Sequence, residues 1–249
     1  MSHPSSPPFG VGRVISQTFG LLFAKFSTVF PMAFVPAVAL SLVNLVAERL
    51  SPAPAEGELV AAPGFAGVLL GTLGMVLSYF VVGFLCLVAL DAVIGRSHSV
   101  GQYARQAARQ LLPIAVLGLA ISLLAGLGFL LLIVPGLYVI ARFLPWVEAV
   151  VFEDAGWRGL GRAQELTEGY RWPLVGAILL MGVATLVLVV LAGGALYAVE
   201  TNAVLSLLVE SLISAFYYAL VSIFTALVYA RLREIKEGAT VEEIAASIG

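Results

Sequence analysis

Charged residues are scarce in this 249-residue chain, since Asp, Glu, Lys and Arg together make up only 11% of it. Hydrophobic residues make up 61%, and the mean hydropathy is +1.04. So few polar residues cannot cover a water-soluble globule of this length. The composition therefore excludes an ordinary soluble protein and predicts one that lies in a lipid bilayer.

Cysteine and histidine are almost absent. Cys86 is the only cysteine, so no intrachain disulfide can form. The two histidines, His3 and His98, have no second ligand at metal spacing, and we expect no metal and no cofactor. No nucleophile, zinc-protease or phosphate-binding motif is present, which predicts that the chain is not an enzyme. No long cationic segment lies outside the apolar runs, so we expect no nucleic-acid partner.

Long apolar runs dominate the chain. A helix needs about 20 largely apolar residues to cross the hydrocarbon core of a bilayer. The runs that meet this length approximately are Phe30–Ala47, Phe65–Leu90, Leu111–Val134, Leu137–Phe152, Pro173–Val199 and Ala203–Ala230. Only Pro135-Gly136 separates the third from the fourth, and we interpret it as a tight turn because one span over 111–152 would be about twice too long.

These runs predict an all-α, polytopic transmembrane bundle of about six spans. A single domain over 11–238 would carry them, with a disordered N-terminal tail at 1–10 and a short C-terminal tail at 239–249. Four glycines are expected to let helices approach closely: Gly126, Gly128, Gly193 and Gly194.

The cations are distributed unevenly between the connections. With a cytoplasmic N-terminus, the inner side holds 11 of the 13 Lys and Arg residues. They are Arg13, Lys25, Arg96, Arg105, Arg109, Arg158, Arg162, Arg171, Arg231, Arg233 and Lys236. Arg49 alone is on the outer side, and Arg142 is within a span. Because cytoplasmic loops carry an excess of Lys and Arg, both termini are predicted to be cytoplasmic.

A stretch typical of a helix on the membrane surface precedes every odd-numbered span. The three stretches are Val11–Phe26, Val100–Gln110 and Trp157–Arg171. Ser99 is the predicted N-cap of the second. A proline follows each stretch at or near the start of the span, namely Pro31, Pro113 and Pro173. The chain can be interpreted as three successive units, each a surface helix followed by a two-span hairpin.

Arg142 is the most unusual residue of the spans. It lies about 11 residues from Glu153, which at about 1.5 Å per residue predicts a position near the middle of the membrane. Its candidate partners are Glu148, Glu210 and Asp91. Two interpretations stay open: a buried ion pair that fixes how the hairpins pack, or a polar cavity for an anionic or zwitterionic ligand. Pro145 is expected to bend the segment between Arg142 and Glu148.

The segment at 153–172 is rich in aromatic and basic residues. Its aromatic residues suit the lipid headgroup region, and they are Trp157, Tyr170 and Trp172. Its arginines suit anionic lipid or a protein partner, and they are Arg158, Arg162 and Arg171. The alternative is an ordinary interfacial helix with no specific ligand.

Several motifs in the second half of the chain resemble a known membrane domain. Residues 130–143 read L-L-L-I-V-P-G-L-Y-V-I-A-R-F, and P-W-V-E-A-V-V-F-E-D follows them. A run over 160–172 ends L-T-E-G-Y-R-W, and 229–238 reads Y-A-R-L-R-E-I-K-E-G. Together they resemble the membrane domain associated with glycerophosphoryl diester phosphodiesterases and uncharacterised bacterial inner-membrane proteins of that type. The resemblance implies a multi-span helical domain in a bacterial cytoplasmic membrane, sometimes fused to a soluble phosphodiesterase.

The stretch after Arg231 is too short for a catalytic barrel of about 250 residues, so we expect no phosphodiesterase activity. The leading hypothesis is a non-enzymatic scaffold or regulatory module that contacts lipid headgroups or a membrane partner. The competing hypothesis is a small-solute or lipid transporter with a polar site around Arg142. A transporter should have a water-accessible cavity there, whereas a scaffold should have a dry ion pair.

Overall fold

A computed structural model of the protein describes residues 9–50, 64–94, 98–199, 201–238 and 243. Within these residues the chain is helical and contains no strand, which confirms the all-α class. The helices are α1 Val11–Ala24, α2 Phe26–Leu50, α3 Phe65–Ile94, α4 Val100–Arg109, α5 Leu111–Leu131, α6 Ile133–Phe143, α7 Trp146–Phe152, α8 Gly159–Thr167, α9 Arg171–Val199 and α10 Ala203–Glu237.

Within the described residues, six helical segments are long and apolar enough to cross a bilayer, namely α2, α3, α5, α6 with α7, α9 and α10. Large apolar side chains cover much of the outer surface, and Leu130 and Phe65 are 83% and 82% exposed. Such a surface would aggregate in water but matches the hydrocarbon of a membrane. The protein therefore has the architecture of a multi-pass membrane protein.

Helices α3 and α10 form the buried centre of the bundle, and α9 is the least buried span. Leu85 and Cys86 of α3 are fully buried, as are Ala215 and Ala219 of α10. Small residues on α10 allow neighbouring backbones to approach closely, and in lipid this close packing stabilises helix pairs.

The turn between α5 and α6 lies earlier than predicted. Leu132 alone joins the two helices, with an extended backbone at φ −167° and ψ 161°. Pro135 and Gly136, the predicted turn, belong instead to the first turn of α6, where proline is tolerated because its missing N–H has no helical partner. A bend was predicted at Pro145, and the structure has an interruption of the helix there, because α6 ends at Phe143 and α7 begins at Trp146.

The glycines differ in their roles. A Cβ atom on Gly128 would lie 2.8 Å from the Cα of Gly136, so the close approach predicted for Gly128 is confirmed. Gly126, Gly193 and Gly194 face open space, and the same prediction is wrong for them.

All three predicted surface stretches contain helices, namely α1, α4 and α8, and a short 3-10 helix at Gly156–Arg158 precedes α8. Ser99 caps α4 as predicted, with Gln102 completing a capping box. Pro113 and Pro173 are the third residues of their helices, whereas Pro31 lies inside α2 because that helix begins at Phe26.

Residues 1–8 of the predicted N-terminal tail lie outside the described residues, and so does the predicted C-terminal tail apart from residue 243. Phe9 belongs to the predicted N-terminal tail and is described. It is 3% exposed and packs against Tyr170, with ring centroids 6.4 Å apart. The prediction of disorder up to Gly10 is therefore wrong at Phe9.

Candidate functional site

The non-spanning helices meet at one end of the bundle. Gln110, after α4, donates a hydrogen bond to Asp154 Oδ1, after α7, at 2.9 Å. Arg231 of α10 donates to the carbonyl of Phe9, before α1, at 3.5 Å. We call the end formed by α1, α4, α8 and the C-terminal end of α10 the basic end, because most of the cations of the chain lie there.

Four charged side chains form a closed cluster at the basic end. Arg162 of α8 donates to both carboxylate oxygens of Glu153, at 2.6 and 3.0 Å, and also to Glu237 of α10. Arg233 donates to the other oxygen of Glu237 at 2.8 Å and lies 3.8 Å from Glu153. The Tyr229 hydroxyl donates to Glu153 at 2.7 Å. We call this cluster the ion-pair ring; its two cations and two carboxylates balance.

Local backbone geometry brings the ring together. Arg233 and Glu237 are four residues apart on α10 and so lie on one face of that helix. Glu153 follows α7, and the chain then turns through positive φ angles at Asp154 (48°) and Gly156 (51°). This turn reverses the chain so that Arg162 reaches back to Glu153.

The ring leaves Arg162 little capacity for an external ligand. Burial alone would lower the pKa of its guanidinium, but the hydrogen bonds and charges of Glu153 and Glu237 outweigh burial and raise that pKa above its ordinary value. Arg162 therefore stays charged and paired. Because the ring joins α7, α8 and α10, we interpret it as a structural clamp.

Arg142 and Arg171 have different surroundings. Arg142 Nη2 donates to Gln164 of α8 at 2.7 Å, and Arg171 Nη1 donates to the hydroxyl of Tyr138 at 3.0 Å. Neither forms an ion pair with any residue that the structure describes. The Nε atom of each is buried without a hydrogen-bond acceptor. These two residues, which we call the arginine pair, keep unused donors and uncompensated charge.

Tyr138 links the surroundings of the two members of the arginine pair. It lies four residues before Arg142, and so on the same face of α6, and its hydroxyl accepts the hydrogen bond from Arg171. Trp172 lies 5.9 Å from Tyr138 between ring centroids and is 64% exposed. Arginine next to tryptophan and tyrosine is typical of the headgroup level of a membrane.

The structure does not bring the predicted intramembrane cluster together. Arg142 bonds to Gln164, and the three acids have other surroundings: Glu148 contacts Cys86 in the bundle, Asp91 lies at the end of α3, and Glu210 lies near the start of α10. In the described part of the chain, none of the three carboxylates forms an ion pair with Arg142. The predicted ion pair is therefore absent from this part.

Asp91 is held by Tyr103 and His98 at the basic end. Its Oδ2 accepts from the Tyr103 hydroxyl at 2.6 Å and lies 2.5 Å from His98 Nδ1. Burial and the hydrogen bond to Asp91 raise the pKa of Tyr103 to about 12. The cluster fixes the start of α4 against the end of α3.

Glu210 lies at the opposite end of the bundle. It lines an open groove of about 560 Å³ with Asn44, Glu48, Arg49 and Ser206. Since Glu48 and Arg49 lie at the C-terminal end of α2 and Phe26 begins that helix near α1, the groove is remote from the arginine pair.

The six predicted interfacial residues have four different surroundings. Trp157 and Trp172 are 57% and 64% exposed, and Arg158 is also exposed, as headgroup contacts would be. Tyr170 is buried, at 8% exposure, and contacts Lys236 and Phe9, so it is not a surface residue. Arg162 belongs to the ring and Arg171 to the arginine pair.

Sequence reasoning missed the residues that hold the arginines. Gln164, Tyr138, Glu153 and Glu237 were not predicted as site residues. The four-residue spacing of Arg233 and Glu237 was the one signal in the sequence, since it is typical of a helical ion pair.

No three His, Cys, Asp or Glu side chains converge as metal ligands within the described ranges. Comparison with protein-family models, curated proteins and solved structures gives no match for this chain. The chemistry available at the basic end is therefore judged from its geometry, which offers guanidinium donors to an anion.

Proposed function

We propose that this protein is a non-enzymatic membrane module that binds anionic lipid headgroups through Arg142 and Arg171. One observation carries the proposal: the outer guanidinium nitrogens of these arginines bond only to an amide and a phenol, and no carboxylate of the described residues balances their charge. A guanidinium without a carboxylate partner favours an anion from outside the protein.

A lipid phosphate suits this requirement. Guanidinium groups bind phosphate oxygens through paired hydrogen bonds. The exposed indole of Trp172 and the phenol of Tyr138 provide the aromatic surroundings found at the headgroup level.

The proposed location is a bacterial cytoplasmic membrane with both termini in the cytoplasm, which would expose the basic end to anionic lipids of the inner leaflet. The excess of cations in the connections supports this orientation. A reporter fused after Gly249 should be active on the cytoplasmic side, and periplasmic activity would contradict the orientation.

Lipid retention tests the binding site. Native mass spectrometry of the full chain from mixed micelles of phosphatidylglycerol and phosphatidylcholine should show retained phosphatidylglycerol. The double variant R142Q/R171Q should lose it. The matched control R105Q/R109Q removes the same charge from two exposed α4 arginines and should retain it.

Two results would contradict the proposal. Equal retention of phosphatidylglycerol by both double variants would show that the arginine pair is not the site. Recovery of a stoichiometric protein with wild type but not with R142Q/R171Q would show that the arginines bind a membrane partner instead.

A lipid or small-solute transporter is the second candidate. It is favoured by polar atoms without partners, Arg142 Nε and Glu148 Oε2, within helices long enough to span a bilayer. Proteoliposomes that move fluorescent phosphatidylglycerol between leaflets faster than protein-free vesicles would favour the transporter. Equal rates would favour the binding module.

A further inference from the structure

Glu148 of α7 is a fully buried acid in the interior of the bundle. Its side chain is 0% exposed, and it lies in a segment of the fourth span. Acids are rare in such positions because the bilayer core disfavours charge, and their presence usually marks a functional site.

The partners of Glu148 are neutral. The thiol of Cys86 on α3 donates to Glu148 Oε1 at 3.1 Å. The same sulfur lies 3.6 Å from the hydroxyl of Thr225 on α10, so three helices meet around it. Glu148 Oε2 has no hydrogen-bond partner among the described residues, and neither does the buried hydroxyl of Ser222.

Glu148 is one of the residues that line a cavity of about 180 Å³. Thr225 also lines this cavity, and most of the other lining residues are apolar. A space of this size has room for several water molecules, and Glu148 Oε2 has no protein partner to satisfy it.

Among the described residues around Glu148 there is no compensating cation. Cys86 of α3 contacts the carboxyl, and Tyr79 of α3 is the other titratable residue on the cavity wall. The Tyr79 hydroxyl is already bonded to Gly118 and Ser122 on α5. In the described part of the lining, α5, α6 and α10 contribute no titratable side chain. The charged residues of the adjacent helices are engaged elsewhere, Arg142 with Gln164 and Arg162 in the ion-pair ring.

We propose that Glu148 and the adjacent cavity form a proton-binding site inside the bundle, in which the carboxyl group holds a proton and exchanges it with water in the cavity. An isolated carboxylate would be very costly in this position, and a proton is the smallest charge that compensates it. The Cys86 thiol donates to one carboxyl oxygen, which leaves the other to carry the proton. This site is separate from the arginine pair and does not depend on lipid binding.

Infrared spectroscopy of the full-length protein in phosphatidylcholine nanodiscs at neutral pH tests the proposal. The wild-type minus Glu148→Gln difference spectrum should contain the C=O stretch of a protonated carboxylic acid, and that band should shift in D₂O. Carboxylate bands alone would overturn the proposal, and so would a protonated band that does not shift in D₂O. Glu210→Gln is the matched control, because it makes the same chemical change at the opposite end and should leave the band in place.

A second measurement needs no variant and covers the case in which Glu148→Gln fails to fold. Dicyclohexylcarbodiimide adds to a protonated carboxyl: the acid proton moves to a carbodiimide nitrogen, the carboxyl oxygen bonds to the central carbon, and the acyl group migrates to nitrogen with no atom lost. Mass spectrometry of the labelled wild-type chain should find this adduct at Glu148 in greater yield than at Glu210. Greater labelling of Glu210 would overturn the proposal.

Discussion

Two pairs of arginines at the same end of the bundle have opposite surroundings. Arg162 and Arg233 each contact carboxylates, so their charge is balanced within the protein. Arg142 and Arg171 contact an amide and a phenol, and their charge is not balanced by any described residue. The comparison shows that residue type alone does not decide whether an arginine is paired with a carboxylate inside the protein; the neighbouring helix does.

Breaking the ring should have the largest effect. In Arg162→Ala, Glu153 and Glu237 lose one of the two cations that they share, and we expect the free energy of unfolding to fall by about 3 kcal/mol, as for a partly buried ion pair that loses one partner. Thermal unfolding in detergent measures this. Arg158→Ala is the control, since Arg158 is exposed and forms no ion pair with the described residues, and it should be nearly neutral. Equal losses in the two variants would contradict a clamp role for the ring.

Disrupting the contact between α5 and α6 should weaken lipid binding by the arginine pair and leave the ion-pair ring intact. A Cβ in Gly128→Ala would meet the backbone of Gly136, and we expect a loss of about 2 kcal/mol from overpacking. Because α6 carries Arg142, retention of phosphatidylglycerol should fall as well. Gly126→Ala adds the same methyl group into open space and should change neither quantity. If Gly126→Ala and Gly128→Ala behave alike, the close contact is not what positions α6.

Neutralising one member of the arginine pair should separate binding from stability. Arg142→Gln removes a charge that has no carboxylate partner, so we expect a change in stability below about 1 kcal/mol together with a several-fold loss of phosphatidylglycerol binding. Arg142→Lys, which keeps the charge, should retain part of the binding. A loss of stability as large as that of Arg162→Ala would instead assign Arg142 a packing role.

The hydrogen bond from Tyr103 to Asp91 should make stability depend on pH in the alkaline range. The pKa of Tyr103 is raised from its ordinary value near 10 to about 12, so its contribution to stability is fully present below pH 10 and is lost as the pH rises through 12. The thermal midpoint of wild type should fall over that interval more than that of Tyr103→Phe. Identical pH profiles would contradict the bond between Tyr103 and Asp91.

The spans could be predicted because a bilayer imposes one length on every apolar helix. The turn at Leu132 could not be predicted, since proline suits both a loop and the first turn of a helix. The contact between Gly128 and Gly136 distinguishes these two possibilities, and it is visible only in the structure.

The partners of the arginines were harder to predict than their positions. Arg162 reaches Glu153 only because Asp154, a non-glycine residue, adopts a positive φ of 48°, which nothing in the sequence indicates. The predicted partners of Arg142 were acids, whereas the structure provides the amide of Gln164 from the surface helix α8.

Stabilisation by lipid tests the central claim most directly. A ligand that binds only the folded state raises the midpoint of thermal unfolding as its concentration rises. Phosphatidylglycerol added to detergent-solubilised wild type and to R105Q/R109Q should raise the midpoint more than phosphatidylcholine does, and it should lose this advantage in R142Q/R171Q. An undiminished advantage of phosphatidylglycerol in R142Q/R171Q would contradict the assignment of headgroup binding to the arginine pair.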